Sequence, residues 1–284
     1  MQTTANMQTT GNIQELLRCA QLDEAIAVLN VEVRSNPTAV ERRALLAELL
    51  CIGGNLERAD TILSSIDDVN TGITTGVTKF RQLLRAEQAR RQFYADGRIP
   101  EFLAKPDALL ELELRAAIAV REGSIDDAAA LLTAREAARL PVAGVADGIP
   151  FDDFRDLDDL SAAHLEVLTA TGKYFWIPVS SVTEILFREP ATRRDLLWRR
   201  AHLCIADGSE AEVFIPAIYV AKDSSAAHQL GHLTEFDGER ATFGKGLRSF
   251  LLGDTSRTIL ELHRIKFRRA TPNQTETAPR PPCA

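Results

Sequence analysis

Five aspartates crowd into eight residues, Asp152-Asp153-Phe154-Arg155-Asp156-Leu157-Asp158-Asp159. An Asp-x-Asp pair such as Asp156 and Asp158 offers hard oxygen ligands to Mg²⁺ and could serve phosphoryl chemistry. That chemistry also needs a phosphate cradle, and the chain has no P-loop and no accompanying lysine or glycine-rich turn. Aspartate equally favours turns and helix N-termini, so the run is expected to be a solvated loop leading into a helix. Arg188, Arg193, Arg194, Arg199 and Arg200 are expected to pair with it, or else with an acidic partner. A second candidate is His228-Gln229-Leu230-Gly231-His232, two imidazoles one turn apart if helical and thus half of a zincin site. Gln229 stands where the general base belongs and cannot take a proton from water, and Gly231 weakens the helix. No Gly-x-Ser-x-Gly and no Gly-x-Gly-x-x-Gly is present. The cysteines, Cys19, Cys51, Cys204 and Cys283, form no C-x-x-C pair, so neither a zinc ribbon nor a thioredoxin-like motif is expected. Cys19 and Cys51 fall in helical patterns and are expected to be small buried hydrophobes. No catalytic residue, no metal and no cofactor is therefore expected.

The chain that must position these groups has 284 residues, 33 basic and 40 acidic side chains and a formal net charge of −7. An acidic balance argues against nucleic-acid and anionic-membrane partners. No apolar run approaches the ~20 residues that span a bilayer. The first twelve residues are a polar hexapeptide written nearly twice, without the basic and apolar regions of a secretory signal. They are expected to be a disordered tail, and the scattered cysteines fit a reducing cytoplasm.

Up to about residue 140, apolar residues recur at three- and four-residue steps among Ala, Leu, Glu and Arg, a helical pattern. Three stretches repeat it: each has a small residue (Ala20, Gly54, Gly123), an apolar one two later, an alanine at +5 (Ala25, Ala59, Ala128) and a leucine at +9 (Leu29, Leu63, Leu132). The alanines lie 34 and then 69 residues apart, close to one and two units of a 34-residue repeat. The period predicts a tetratricopeptide-like stack over 13–140. The small residues permit tight turns, and the alanines sit where paired helices cross. The slot between the second and third copies is degenerate and holds a long helix from about Val77 to Ala95. The helix predicted over 40–52 has two apolar stripes, Leu46/Leu50 and Leu45/Leu49/Ile52. The second is either buried between repeats or offered to a partner, as is the cleft where the repeats meet the second domain.

Near Pro141-Val142-Ala143-Gly144 the period changes. A mixed, mainly antiparallel α+β domain with short helices is expected over 145–269, and a proline-rich disordered tail over 270–284. Within this domain a helix is predicted over 161–171, strands over 174–177 and 183–188, and a helix from Pro190 to Trp198. Two hairpins are predicted. Asp207-Gly208 joins 202–206 to 211–215, and Gly253-Asp254 joins 248–252 to a half-solvated strand over 258–267. Tyr174, Trp176 and Trp198 are expected to be buried anchors of this domain.

The landmarks Asp147-Gly148-x-x-Phe151, Asp156-x-Asp158, Leu165-Glu166, Gly172-Lys173-Tyr174-Phe175-Trp176-Ile177-Pro178, Pro190-x-x-x-Arg194-Asp195-Leu196-x-Trp198, Asp207-Gly208-x-Glu210, Pro216-x-x-Tyr219, Thr234-Glu235-Phe236 and Leu260-Glu261 come in an order that resembles the ImpE (TagJ, SciE) family, accessory components of some bacterial type VI secretion systems. The sequence departs from the family's pattern at Asp159-Leu160-Ser161-Ala162, Arg200-Ala201 and Phe236. The resemblance implies a non-enzymatic cytoplasmic adaptor that binds a helical N-terminal segment of the small contractile-sheath subunit. The rival expectation is an enzyme, or a nucleotide- or metal-binding protein, built on the Asp152–Asp159 loop with His228 or His232.

Overall fold

The computed structural model describes residues 12–67 and 74–268. Of the tails expected at 1–12 and 270–284, only residue 12 falls within them. A helix over 12–18 (α1) leads to α2 (Leu22–Ser35), α3 (Val40–Ile52), α4 (Leu56–Asp67), α5 (Thr74–Asp96), α6 (Ala108–Arg121) and α7 (Ile125–Ala138). The three copies of the repeat are helical hairpins, α1/α2, α3/α4 and α6/α7. Their small residues Ala20, Gly54 and Gly123 have φ of 56°, 85° and 80°, the left-handed geometry that reverses the chain after a helix. Ala25, Ala59 and Ala128 are fully buried, and Leu29, Leu63 and Leu132 are buried in one core with Ala25 and Ala59. Ala59→Leu is therefore expected to overpack the crossing and cost about 1–3 kcal/mol by urea unfolding. An unchanged midpoint would place Ala59 outside it.

The degenerate slot is α5, a single 23-residue helix between hairpins. Along its length it meets both regions: Arg81 pairs with Asp60 and Arg91 Nη1 donates to Gly54 O, while Phe80 packs on Trp198 and Arg90 pairs with Glu166. After Gly97 the chain runs along the outer edge of that sheet, where the Glu101 N–H donates to Tyr174 O and the Trp176 N–H donates to Glu101 O. This covers an edge strand that would otherwise leave its backbone groups unpaired.

Thirteen strands come next among the described residues: β1 (Gly144–Ala146), β2 (Ile149–Phe151), β3 (Phe154–Asp156), β4 (His164–Leu168), β5 (Tyr174–Pro178), β6 (Val182–Phe187), β7 (Trp198–Ile205), β8 (Glu210–Pro216), β9 (Thr234–Asp237), β10 (Phe243–Gly246), β11 (Ser249–Leu252), β12 (Thr255–Thr258) and β13 (Arg264–Phe267). A short helix, α8 (Ala226–Gln229), precedes β9. The main sheet runs β2-β1-β13-β6-β7-β8-β4-β5 and is antiparallel throughout; β12-β11-β3 and β10-β9 form smaller sheets. The fold is thus a helical-repeat region followed by a mainly antiparallel β region, as expected.

Several local expectations are corrected. The helix predicted over 161–171 is β4, preceded by one 3-10 turn at Asp159–Ser161. All five residues of β4 are buried because both faces are covered. Leu165 and Val167 point into the sheet core, while Leu168 points with its i−2 and i−4 neighbours, Glu166 and His164, towards the helices. His164-Leu165-Glu166-Val167 does alternate, but Ala162, Leu165 and Leu168 also recur at three-residue steps, which is equally the spacing of a helix face. The helix expected from Pro190 shrinks to a 3-10 turn at Arg193–Leu196, and Trp198 opens β7. The Asp207-Gly208 hairpin forms as predicted from β7 and β8. The Gly253-Asp254 turn also forms, but its second strand stops at Thr258. Residues 259–261 turn, Leu262 is buried, and β13 leaves to pair with β1 and β6.

Candidate functional site

On α5, Glu87, Arg90, Arg91 and Tyr94 fall at i, i+3, i+4 and i+7, a polar stripe on one helix face. That stripe meets β4 and β5. Arg90 Nε and Nη2 donate to the two oxygens of Glu166, each at 3.0 Å, a bidentate pair between helix and sheet. Glu166 also accepts from Tyr94 Oη at 3.1 Å, from Tyr174 Oη at 2.5 Å and from Arg248 Nη2. Arg248 Nη1 donates to Asp156 at 2.6 Å, and Tyr219 Oη donates to the other Asp156 oxygen at 2.5 Å. Trp176 Nε1 donates to Tyr174 Oη at 2.6 Å, and Trp198 Nε1 donates to Glu87 at 3.1 Å. Glu166 and Arg248 are 0 % exposed, Asp156 1 % and Arg90 2 %.

The network sets the guanidiniums of Arg90, Arg91 and Arg248 against the carboxylates of Glu87, Asp156 and Glu166. Burial alone would raise the Glu166 carboxyl, but Arg90 and Arg248 overcome this and hold it well below the usual carboxylate range. Burial and the neighbouring carboxylates push the hydroxyls of Tyr94, Tyr174 and Tyr219 well above their ordinary values, which keeps them as donors. A second buried set lies beside it. Glu113 of α6 accepts from the Ala163 N–H at 3.1 Å and lies 2.7 Å from His164 Nδ1, and the His164 ring stacks on Trp176 with centroids 3.7 Å apart. These carboxylates already accept from donors of the chain itself, so the cluster works as a fastener between helices and sheet.

The acid run is not a solvated loop. Asp156 belongs to the buried network. Asp158 is an N-cap, accepting from Leu160 N at 2.8 Å and from Gly244 N at 2.8 Å. Burial and the nearby Asp156 push Asp158 up to about 7. Asp153 pairs with Arg139, and Asp159 with Arg155. The arginines expected to neutralise the run go elsewhere. Arg188 and Arg200 both hold Glu212, and Arg194 holds Glu48. Arg199 is buried with its guanidinium 5.9 Å from the Phe187 ring. The run's true partners are Arg155 within the run itself, Arg139 just before it and Arg248, 92 residues on from Asp156.

His228 and His232 are not brought together on one helix face. Helix α8 ends at Gln229, and Gly231 has φ 71°. His228 is buried, with Nε2 3.0 Å from Glu235 Oε2 and Nδ1 2.9 Å from Ser225 Oγ, while His232 is exposed. Cys51 is buried as expected; Cys19 is exposed, since it follows the end of α1.

Tyr174, Trp176 and Trp198 are buried on the sheet face that meets the helices, and Pro178 ends β5 opposite His164. Of the proposed partner stripe, Leu49 is wholly buried and offers no surface in this structure; Leu45 and Ile52 are half-buried against the core. Ile52 nevertheless reaches a cleft of about 340 Å³ between the repeats and the β region. Its apolar walls are Leu17, Ile52, Leu196, Leu197 and Leu230, and polar residues including Arg18, Arg193 and His232 complete the lining. Leu196 is 42 % exposed at this cleft.

The polar stripe of α5, Glu113 and Arg248 were missed by sequence reading. The available signal was a charged residue inside an apolar run, as in Leu165-Glu166-Val167.

Fold and site together define a helical-repeat scaffold fastened by buried ion pairs to an antiparallel β region, with an open apolar cleft at the seam. Residues 148–266 match the family described as ImpE protein, in agreement with the resemblance seen in the landmarks of the β region. The type VI secretion system accessory component TagJ of Pseudomonas aeruginosa is 28% identical over 256 residues, 89% of this chain and 90% of that protein. A crystal structure of a protein from Vibrio parahaemolyticus superposes with a TM-score of 0.86 at 25% identity, covering 91% of this chain and 98% of that one.

Proposed function

We propose that this protein is a non-enzymatic, cytoplasmic accessory component of a bacterial type VI secretion system, and that it holds an amphipathic N-terminal helix of the small sheath subunit in the cleft between repeats and β region. The observation that carries this is an open cleft walled by Leu17, Ile52, Leu196, Leu197 and Leu230, in a chain related over nearly its whole length to TagJ. An incoming helix would seat apolar anchors at i, i+3, i+4 and i+7 among these leucines, with its polar edge towards Arg18 and Arg193. The accessory reading also accords with an acid run engaged by its own chain. Among the described residues no helix is long and apolar enough to cross a membrane.

Calorimetry with a synthetic peptide of the sheath subunit's N-terminal segment should give micromolar affinity, roughly −8 kcal/mol. Leu196→Glu should abolish the heat without shifting the thermal midpoint, because Leu196 is partly exposed. No heat at high micromolar peptide would remove the partner. Binding that survives both Leu196→Glu and Ile52→Glu would keep the partner and discard the cleft.

A further inference from the structure

The hairpin joined by Asp207-Gly208 carries a feature that neither the fold nor the cleft uses. His202 and Cys204 lie at i and i+2 on β7, so both side chains leave the same face of the sheet. The register sets Glu210 of β8 opposite Cys204, and Glu212 opposite His202. His202 Nε2 is 3.3 Å from Glu210 Oε2, and Cys204 Sγ is 3.9 Å from the same oxygen. One ligand atom from each of His202, Cys204 and Glu210 lies within 4.8 Å of the others.

These are nearly the edges of a zinc tetrahedron. With Zn–N and Zn–O near 2.1 Å and Zn–S near 2.3 Å, tetrahedral ligands stand about 3.4 Å apart for N···O and about 3.6 Å for S···O. The donor set, one imidazole, one thiol and one carboxylate, is the borderline mixture Zn²⁺ accepts. Glu212 Oε1 lies 3.7 Å from His202 Nδ1, the ring nitrogen a metal on Nε2 leaves free, where a carboxylate can orient the ring. Glu184 on β6 pairs with Cys204 in register and adds a third carboxylate to this part of the sheet. The cations nearby are already engaged: Arg188 and Arg200 hold Glu212, and Arg264 holds Glu184. Burial, Glu210 and Glu184 raise the Cys204 thiol, so without a cation it keeps its proton. A dication reverses that preference.

We propose that His202 Nε2, Cys204 Sγ and Glu210 Oε2 form a surface Zn²⁺ site with water in the fourth position. Loading replaces the Cys204 proton with the metal and releases it to solvent, with no redox change. The fixed register places three ligands on one face before the metal arrives. The site lies on the β7–β8 hairpin, and none of its three ligands lines the cleft.

The test uses the full chain, purified without a metal-binding tag, reduced and stripped with chelator. Co²⁺ should bind with one equivalent, giving a near-ultraviolet thiolate-to-cobalt band and the intense visible bands of a tetrahedral ion. Zn²⁺ should displace it in competition with a chromophoric chelator. Cys204→Ser should erase the near-ultraviolet band and Cys19→Ser should leave it. Glu210→Gln should weaken Zn²⁺ binding at least tenfold, and Glu212→Gln roughly tenfold. In the unmutated protein, Zn²⁺ should slow alkylation of Cys204 roughly tenfold or more by peptide mass spectrometry, because metal-bound thiolate is a poor nucleophile. This last measurement needs no variant to fold. Absence of the thiolate band, its survival in Cys204→Ser, or alkylation of Cys204 indifferent to zinc would each overturn the site.

Discussion

Glu166→Gln is expected to destabilise the protein by about 3–5 kcal/mol, the scale seen when one member of a buried ion cluster is removed. The substitution keeps the shape and takes away the charge, leaving Arg90 and Arg248 with only Asp156 and Glu87 between them in a region with almost no water. The acid dependence of the loss has a definite sign. The two guanidiniums hold the folded Glu166 carboxyl far below the value near 4.3 it has when unfolded. Its contribution is therefore complete above about pH 4.3 and fades as pH falls towards the depressed folded value. Urea unfolding at pH 7 and at pH 3 should show the gap between wild type and Glu166→Gln narrowing at the lower pH. A gap that is small at neutral pH, or unchanged on acidification, would mean that the cluster does not fasten helices to sheet.

Trp176→Ala should cost a similar ~3–5 kcal/mol, for a different reason. Trp176 is fully buried, stacks on His164 and meets Phe93 of α5 edge-on with centroids 4.7 Å apart. Its truncation opens a cavity at the seam and also strips Tyr174 Oη of a donor, loosening a ligand of Glu166. Because Trp198 is equally buried, native emission should be blue-shifted and poorly quenched by iodide. Red-shifted, readily quenched tryptophans in the native protein would sink this reading, as would a Trp176→Ala variant that melts like wild type.

The repeats were legible because their determinants are local. A positive-φ turn takes a small residue, as Ala20, Gly54 and Gly123 show, and a close helix crossing takes alanine, as Ala25, Ala59 and Ala128 show. The Asp207-Gly208 hairpin was legible for the same reason, since a two-residue turn and its register follow from adjacent residues. The ImpE landmarks were readable in order without any knowledge of what they touch.

The tertiary structure alone decided the parts whose determinants are distant in the chain. The strand β4 carries the alternation His164-Leu165-Glu166-Val167, but Ala162, Leu165 and Leu168 fit a helix face equally well, and only α5 and α6 packing over Glu166 and His164 decide for the strand. Glu166 and Arg90 are 76 residues apart, and Asp156 and Arg248 are 92 apart. The acid run reads as a solvated loop until Arg248 and Tyr219 arrive beside it. Leu49 and Ile52 share one stripe of α3, yet one is sealed in the core and the other reaches the cleft that residues of α1 and of the Arg193–Leu196 turn line. Burial of a charge or an apolar stripe depends on what packs over it, and that is a property of the assembled layers rather than of any local segment.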